Sequence, residues 1–407
     1  MSSPVRNAGS VRFTKTSVPR GRNGLPRIED APWSHNATTS TDCTFHQLAP
    51  YIGRIKTTIA SHLVEEYTRP GQVVVDPFCG SGVIPLEAAI RGRRVVAGDV
   101  NPYGVMLTRA KFVAPATADE AMTLLERRWN AALRRVATQD LRRVPLWVRR
   151  FFHAETLRHA LALRDELTAR GDTFLMACLL GILHHQRPGF LSYPSSHLVP
   201  YLRDKLFPRS EFPELYEERN VYDRLLAKVQ RTYRRPPAAL AESAVALSDS
   251  RKLRISVPVH AVITSPPYMN ELDYVRDNRL RLWFLFRELP MGRDLPKRDR
   301  EKAFRLLMAS TLQRIAPFVE AGGVIALVVG DASRGTRRAD SAEIVQTIFS
   351  ADDALADFKL TRLIRDTIPD VRRSRRDLRG TKRETVLVFE KSRHTFPRSD
   401  KAQRSAV

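Results

Sequence analysis

The chain falls into three stretches of different hydrophobic rhythm. Between residues 46 and 112, short β-branched runs alternate with amphipathic segments. Val73-Val74-Val75 is a run of the kind buried on both faces of a parallel sheet. Leu86, Ala89 and Ile90 then share one helical face, and Arg94-Val95-Val96-Ala97-Gly98-Asp99 predicts a second strand that ends on an acid. From 115 to 240 the period becomes helical. Leu124, Leu125, Trp129 and Leu133 recur within Met122 to Val136, and the pattern returns through Ala154 to Ala169, Thr173 to His185 and Val221 to Tyr233. Strand-like runs come back at Ala261-Val262-Ile263, at Gly322 to Asp331 and at Glu384 to Phe389. Strands alternating with helices, interrupted by a helical block, predict an α/β fold: a doubly wound sheet carrying a mostly helical insert.

The two ends of the chain differ from this middle. Residues 1–40 are rich in Ser, Pro, Arg, Asn and Gly without periodicity and read as a disordered basic arm, and 393–407 as a disordered tail. That leaves 41–114 as one half of a sheet domain, 115–240 as the insert and 241–392 as the other half. With 67 Lys plus Arg against 44 Asp plus Glu, the net charge of +23 draws the chain to phosphate polyanions, with binding that weakens steeply in salt. The blander reading, arginines paired with acids on solvated helices, competes for any one residue. No run of apolar residues is long enough to span a membrane, and no apolar stretch follows the basic N-terminus, so a cytoplasmic location and no membrane partner are expected. Cys43, Cys79 and Cys178 form no C-x-x-C pair, and His184-His185 point about 100° apart on a helix. Neither a metal site nor a disulfide framework is expected.

Two segments carry candidate chemistry. Asp76-Pro77-Phe78-Cys79-Gly80-Ser81-Gly82 links a strand to a helix, and Gly80 and Gly82 let the backbone approach a ligand. Asp99, 19 positions beyond Gly80, stands where a strand-end acid can accept both hydroxyls of a ribose. The turn lacks G-x-G-x-x-G, so a dinucleotide is not the expected ligand. The second segment, Thr264-Ser265-Pro266-Pro267-Tyr268, follows the apolar run at 261–263. A serine hydroxyl and a Pro-flanked carbonyl at a strand's carboxyl end accept hydrogen bonds from an amino group, and a tyrosine beyond them stacks on a planar ring. Two prolines fix φ and remove two donors. Taken singly, each segment is also an ordinary turn.

Together they resemble the class I S-adenosylmethionine-dependent methyltransferases, specifically the amino-methyltransferases of DNA, over roughly residues 45–112 and 240–390. The motif order is similar to the gamma arrangement. The resemblance implies that Asp76, Pro77, Phe78, Cys79, Gly80, Ser81 and Gly82 hold the methionine part of S-adenosylmethionine. It implies that Asp99, with Asn101 behind it, holds the ribose, and that Ser265, Pro266, Pro267 and Tyr268 are the catalytic motif of enzymes that methylate an exocyclic amino nitrogen. Phe45 to Lys56 and the helix-like Thr57 to Tyr67 resemble the segment flanking the cofactor carboxylate, or else an amphipathic helix on the sheet edge. Asp249 resembles the acid near the adenine amino group, although Ser-Asp is also plain turn chemistry. Cys79 reads as a small packing residue.

The implied mechanism needs no covalent intermediate. Hydrogen bonds from the amine to Ser265 Oγ and the Pro266 carbonyl would localise its lone pair, and Tyr268 would stack on a base flipped from its helix. Carbon-5 cytosine chemistry is disfavoured because no cysteine follows a proline. In the family an insert at this place recognises the target, so 115–240, with the loop Arg187 to His197, is the expected DNA-recognition region; a structural lid over the cofactor is the alternative. Arg276, Arg279 and Arg281, and Arg372, Arg373, Arg375 and Arg376, are expected DNA contacts, against the reading of solvated basic faces. The serine at the first motif position favours cytosine N4 in the family. Adenine N6 and an RNA guanine-N2 enzyme stay open, while a non-catalytic nucleic-acid binder is disfavoured by the intact motifs. DNA is the expected partner, and a cognate restriction endonuclease is left open.

Overall fold

The computed structural model describes residues 26–33, 43–51, 53–185, 189–193, 207–267, 278–288, 299–330, 332–334, 337–367 and 383–393. Strand β1 (Ile28–Asp30) and helix α1 (Thr57–Tyr67) precede β2 (Val73–Asp76), α2 (Val83–Ile90), β3 (Arg94–Asp99) and α3 (Pro102–Phe112). The insert follows as α4 (Ala118–Leu133), α5 (Leu146–Arg149), α6 (Ala154–Arg170), α7 (Thr173–Ile182) and α8 (Val221–Thr232). The chain returns through β4 (Ser243–Leu247), β5 (Val259–Thr264), α9 (Arg279–Phe286), α10 (Arg300–Ile315) and β6 (Val319–Gly330). A short ribbon, β7 (Ala332–Arg334) and β8 (Arg337–Ala339), leads to α11 (Ser341–Ala351), β9 (Phe358–Thr367) and β10 (Arg383–Lys391).

Eight strands make one sheet in the order β1-β9-β10-β6-β5-β2-β3-β4. Every neighbouring pair is parallel except those of β10, which runs antiparallel to both β6 and β9. The apolar runs are buried on both faces, as their composition requires. Val73 and Val75 face Phe304, Met308 and Leu312 of α10, whereas Val74 between them faces Ile59 and Leu63 of α1. Ile325, Leu327 and Val329 alternate with Val324, Ala326 and Val328 in the same way. From β2 the chain winds outward to β3 and β4, then crosses back to β5 on the other side of β2. This reversal is the switch point at which open α/β sheets hold their ligands, and it sets the carboxyl ends of β2 and β5 side by side, with Val75 opposite Val262.

Helices α4, α6, α7 and α8 occupy the stretches whose helical period predicted them. They do not stand apart from the sheet domain. Leu125, Phe151, Leu161, Cys178 and Leu225 share one core with Tyr103 and Leu107 of α3 and with Leu280, Trp283 and Phe284 of α9.

The basic arm expected over 1–40 departs from its composition at Ile28–Asp30, which adds a parallel edge strand to β9. Trp33 is buried, and its indole donates to Asp366 Oδ2 at 2.8 Å. Lys56 donates to the same oxygen at 2.6 Å, and Arg362 reaches Glu29 at 2.7 Å. Three residues are too few to show a strand period, so nothing local marks this segment. Trp33→Ala should lower stability by about 3 kcal/mol, and Trp33→Phe, which removes the indole donor, by about 1 kcal/mol. Urea unfolding measures both, and an unchanged midpoint for Trp33→Ala would show that the segment is not integral to the fold.

Candidate active site

Strand β2 ends on Asp76, whose carboxyl is buried beneath the turn that follows. Its Oδ1 accepts from Thr264 Oγ1 at 2.6 Å and from the Phe78 amide at 3.2 Å. The first of these bonds joins the two sequence motifs, 188 residues apart, at the ends of their strands. Gly80 and Gly82 both take positive φ, +48° and +72°, and Gly82 starts α2 from the left-handed region. Asp99 at the end of β3 ties the turn in place. Its Oδ2 accepts from the Gly80 amide and its Oδ1 from the Asn101 amide, each at 2.8 Å. A carboxylate has about four lone-pair sites, so both oxygens keep acceptor capacity for a ligand. Asn101 in turn caps α3 by accepting from the Tyr103 amide.

A cavity of about 470 Å³ opens over this turn. Asp76, Pro77, Phe78, Cys79, Gly80, Ser81, Asp99, Asn101 and Asp249 line it, and so do Ser265 and Pro267 of the second motif. Asp249 follows β4 and pairs with Arg251 at 2.5 Å. Gly82 and Pro266 are not in the wall. A Cβ at Gly82 would come within 2.6 Å of Thr108 Oγ1, so that glycine answers to packing beneath the turn. Tyr268, Arg276, Arg372, Arg373, Arg375 and Arg376 lie outside the described residues. Arg279 sits over the ring of Trp147, 5.0 Å from its centroid. Its helix neighbour Arg281 is buried and donates to the carbonyls of Leu180 and His184, so it joins α9 to the insert and has no access to a phosphate.

The loop expected to read base edges turns inward at Leu191 to Tyr193, whereas Gly189 before them is exposed and Phe190 half-buried. Leu191, Ser192 and Tyr193 are buried, and their amides donate to the carbonyls of Ile182, Leu183 and Phe151. Aromatics alternating with hydroxyls suggest a solvent-facing reader; the apolar side chains instead complete the insert core.

Residues unmarked by the motifs support the turn from below. On α3, Gly104, Thr108 and Lys111 share one face at spacings of four and three. A Cβ at Gly104 would lie 2.8 Å from the Gly80 carbonyl oxygen, Thr108 Oγ1 donates to that oxygen at 3.0 Å, and Lys111 Nζ donates to the Gly82 carbonyl at 2.9 Å. The available signal was a small, hydroxylic and basic triplet on a face otherwise bordered by Val105 and Leu107. Tyr51 and Arg54, from the segment before α1, close the cavity on the other side.

Burial dominates the electrostatics. It pushes the Asp76 carboxyl up to about 7, against the hydrogen bonds from Thr264 and Phe78, and raises Asp99 as well. Lys111 is brought down to about 7 and His46, beside Glu87 at 2.6 Å, to about 4, in both cases chiefly by burial. The Cys79 thiol is held well above its ordinary value, so it stays protonated and is no nucleophile. Among the described residues no group of His, Cys, Asp and Glu is arranged to hold a metal ion, and no helix is long and apolar enough to cross a membrane.

A cavity of this size accommodates a nucleoside with an amino-acid arm. Three acids stand in its wall, Asp76 and Asp99 at the ends of neighbouring strands and Asp249 beyond β4, so it offers hydrogen-bond acceptors along its length. The doubly wound sheet, with β10 antiparallel between β6 and β9 and a glycine turn at the switch point, has the architecture of a class I methyltransferase domain, a class whose cofactor is S-adenosylmethionine. Residues 48–144 match the family model UPF0020, described as the RMKL-like methyltransferase domain. No curated protein matches the chain. Among solved structures, TrmN from Thermus thermophilus is 15% identical over 85% of this chain, with a TM-score of 0.33, and the match spans about half of that protein, 52%. An rRNA methylase from Streptococcus thermophilus is 10% identical over 84% of this chain and 99% of its own, and the rRNA methyltransferase aviRa from Streptomyces viridochromogenes 13% over 88% and 96%, each with a TM-score of 0.33. Likenesses at this level bear on neither substrate nor mechanism.

Gly104→Ala should push the Gly80 carbonyl out of place and weaken cofactor binding by about 1 to 3 kcal/mol, the usual range for overpacking. Calorimetric titration with S-adenosylhomocysteine measures this, and unaltered affinity would refute the support assigned to α3.

The raised Asp76 makes a second prediction. Between its unfolded value of 3.8 and its folded value of about 7, the folded protein holds a proton that the unfolded chain releases. Its contribution to stability is therefore complete in acid and lost as pH rises through about 7. His46, depressed from 6.5 to about 4, works in the opposite sense over its own window, so the difference between wild type and Asp76→Asn isolates the carboxyl. In urea unfolding compared at about pH 5 and about pH 8, Asp76→Asn should gain stability relative to wild type at the higher pH. A difference independent of pH would contradict the assignment.

Proposed function

We propose that the protein transfers a methyl group from S-adenosylmethionine to the exocyclic amino nitrogen of a base in DNA, with cytosine N4 as the target. The observation that carries this reading is the Thr264–Asp76 hydrogen bond, which brings Ser265 and Pro267 into the wall of the cavity formed by the cofactor turn. Bound S-adenosylmethionine supplies an electrophilic methyl on a positively charged sulfur. The turn from Asp76 to Ser81 would hold its methionine part, Asp99 its ribose and Asp249 the adenine side.

The remaining chemistry belongs to the protein. An exocyclic amine is a poor nucleophile because its lone pair is delocalised into the ring. Ser265 Oγ and the Pro266 carbonyl, accepting from its two N–H groups, localise that pair and aim it into the cavity. Orientation of this kind is worth about 7 to 11 kcal/mol when the attacking atom is held near its target. Covalent attack on carbon 5 of cytosine is disfavoured, since burial raises the Cys79 and Cys178 thiols away from the thiolate form. The net charge of +23 favours a polyanionic substrate.

The match to the RMKL-like domain over residues 48–144 favours a second reading, guanine-N2 methylation of RNA. The two separate by incubating the full chain with labelled S-adenosylmethionine and either DNA or RNA, then identifying the modified nucleoside. N4-methylcytosine in DNA is the expected product. Modified adenine alone would move the target base, label in RNA alone would replace the substrate class, and 5-methylcytosine would sink the amine chemistry. Ser265→Ala should lower kcat by about ten- to a hundredfold, the worth of one buried hydrogen bond, with cofactor affinity little changed.

A further inference from the structure

The chain carries eight arginines and a single acid, Asp140, between residues 127 and 150. They fall in four adjacent pairs: Arg127-Arg128, Arg134-Arg135, Arg142-Arg143 and Arg149-Arg150. Some have structural duties. Arg128 pairs with Asp172, and Arg135 reaches Glu166 at 3.3 Å. Others face solvent. Arg142 and Arg143 have side chains 90% exposed and share Asp140 between them. Arg127, Arg134 and Arg149 are exposed and make no ion pair among the described residues. Exposed cations clustered with few acids among them repel one another unless a counterion joins them.

The position of this segment links it to the catalytic motif. Gln139 accepts from Arg287 Nη2 at 3.3 Å, just past the carboxyl end of α9. Trp147 packs edge-on against Trp283 and takes Arg279 over its face at the other end of the same helix. The segment from Gln139 to Trp147 therefore runs along α9, in the opposite direction, with its arginines carried on the solvent side. Helix α9 is the first described element after Ser265-Pro266-Pro267, and its Leu282 lines the cofactor cavity. An exposed cationic ridge thus stands one helix away from the reacting atoms.

We infer that the arginine ridge Arg134–Arg150, laid along α9, docks the phosphate backbone of duplex DNA and delivers the target base to the Ser265 end of the cavity. The inference rests on the proposed DNA substrate and goes beyond it by naming the surface. Duplex DNA is the occupant because the ridge presents many planar guanidinium forks, suited to bidentate capture of phosphate, and few apolar or aromatic side chains on which unstacked bases would lie. Leu146 is its one large exposed apolar residue among the described ones. It also shifts recognition away from Leu191 to Tyr193, whose side chains are buried.

The test compares wild type, the triple variant Arg142→Ala/Arg143→Ala/Arg149→Ala and a control, Arg69→Ala/Arg94→Ala/Lys359→Ala. The control removes equal charge from the amino ends of the parallel strands, the face opposite the cavity. Binding to a short DNA duplex is measured at several KCl concentrations, with cofactor affinity as the check on folding. The ridge variant should bind about tenfold or more weakly, with the slope of log K against log salt shallower by about 2 to 3, roughly one for each phosphate that is no longer neutralised. Its kcat at saturating DNA and its cofactor affinity should match wild type. Equal binding by wild type and the ridge variant, or equal weakening by the control, overturns the docking surface. If that happens while wild type still methylates DNA, the substrate reading survives and only the ridge assignment falls. A wild-type protein that binds and methylates RNA but not duplex DNA overturns both.

Discussion

The site depends on one buried hydrogen bond, from Thr264 to Asp76. Each residue ends a strand, and the two strands are neighbours only because the winding of the sheet reverses between them. A carboxyl this deeply buried is costly unless donors reach it, and it has two: the Thr264 hydroxyl and the Phe78 amide. The bond therefore does more than stabilise. With Asp76 and Thr264 joined, the glycine turn after one and the Ser-Pro-Pro segment after the other must share a cavity. Replacing the hydroxyl by an apolar group of the same shape would leave the carboxyl short of a donor, a more damaging change than the loss of an average hydrogen bond.

Support for this arrangement comes from the insert, which is mechanically continuous with the turn. Helix α3 holds the turn through Gly104, Thr108 and Lys111 on one face while its Tyr103 and Leu107 enter the core of the insert. The same core takes up Leu280, Trp283 and Phe284 of α9. Arg164 then caps that helix by donating to the carbonyls of Phe284 and Leu285, each at 2.6 Å. Arg287, held at φ +62° where non-glycine residues are uncommon, is retained by Asp165 at 3.0 Å and by its own stacking on Trp283. Helical packing thus fixes both the floor of the glycine turn and the helix that follows the Ser-Pro-Pro segment. A detachable recognition module would not do this.

Local pattern was enough to read much of this design. The β-branched runs, the helix from Thr57 to Tyr67, the glycine turn and the acids at 99 and 249 are local signals, and each occupies the place its neighbours in sequence imply. Local reading fails where meaning lies across the chain. Thr264 looks like an ordinary strand residue until β5 is set beside β2. Arg281 reads as a solvated cation until α9 is packed on α7, whereupon its guanidinium serves two carbonyls. Leu191 to Tyr193 have the composition of a recognition loop, but the apolar side chains needed by the insert core decide their direction. Ile28–Asp30 is too short to have a period, and only the open edge of β9 and the pocket for Trp33 make it a strand. The same long-range packing separates Gly82, which answers to Thr108 beneath it, from Gly80, which lines the cavity.

The glycine turn also lies between two buried groups of opposite kind whose ionisation burial opposes. On its strand side Asp76 is raised to about 7, and on its helix side Lys111 is lowered to about 7. Around neutral pH neither is firmly committed to its charge. The consequence is asymmetric, because only Asp76 faces the cavity, while Lys111 is sealed behind the Gly82 carbonyl. A cation in the cavity favours the ionised form of a nearby carboxylate, so a ligand bearing positive charge stabilises the Asp76 carboxylate without disturbing Lys111. That carboxylate accepts more strongly from Thr264 than the neutral acid does, since hydrogen bonds to ionised groups are the stronger ones. Positive charge in the cavity thereby tightens the link between the glycine turn and β5, and the bond that assembles the site becomes responsive to what the site holds.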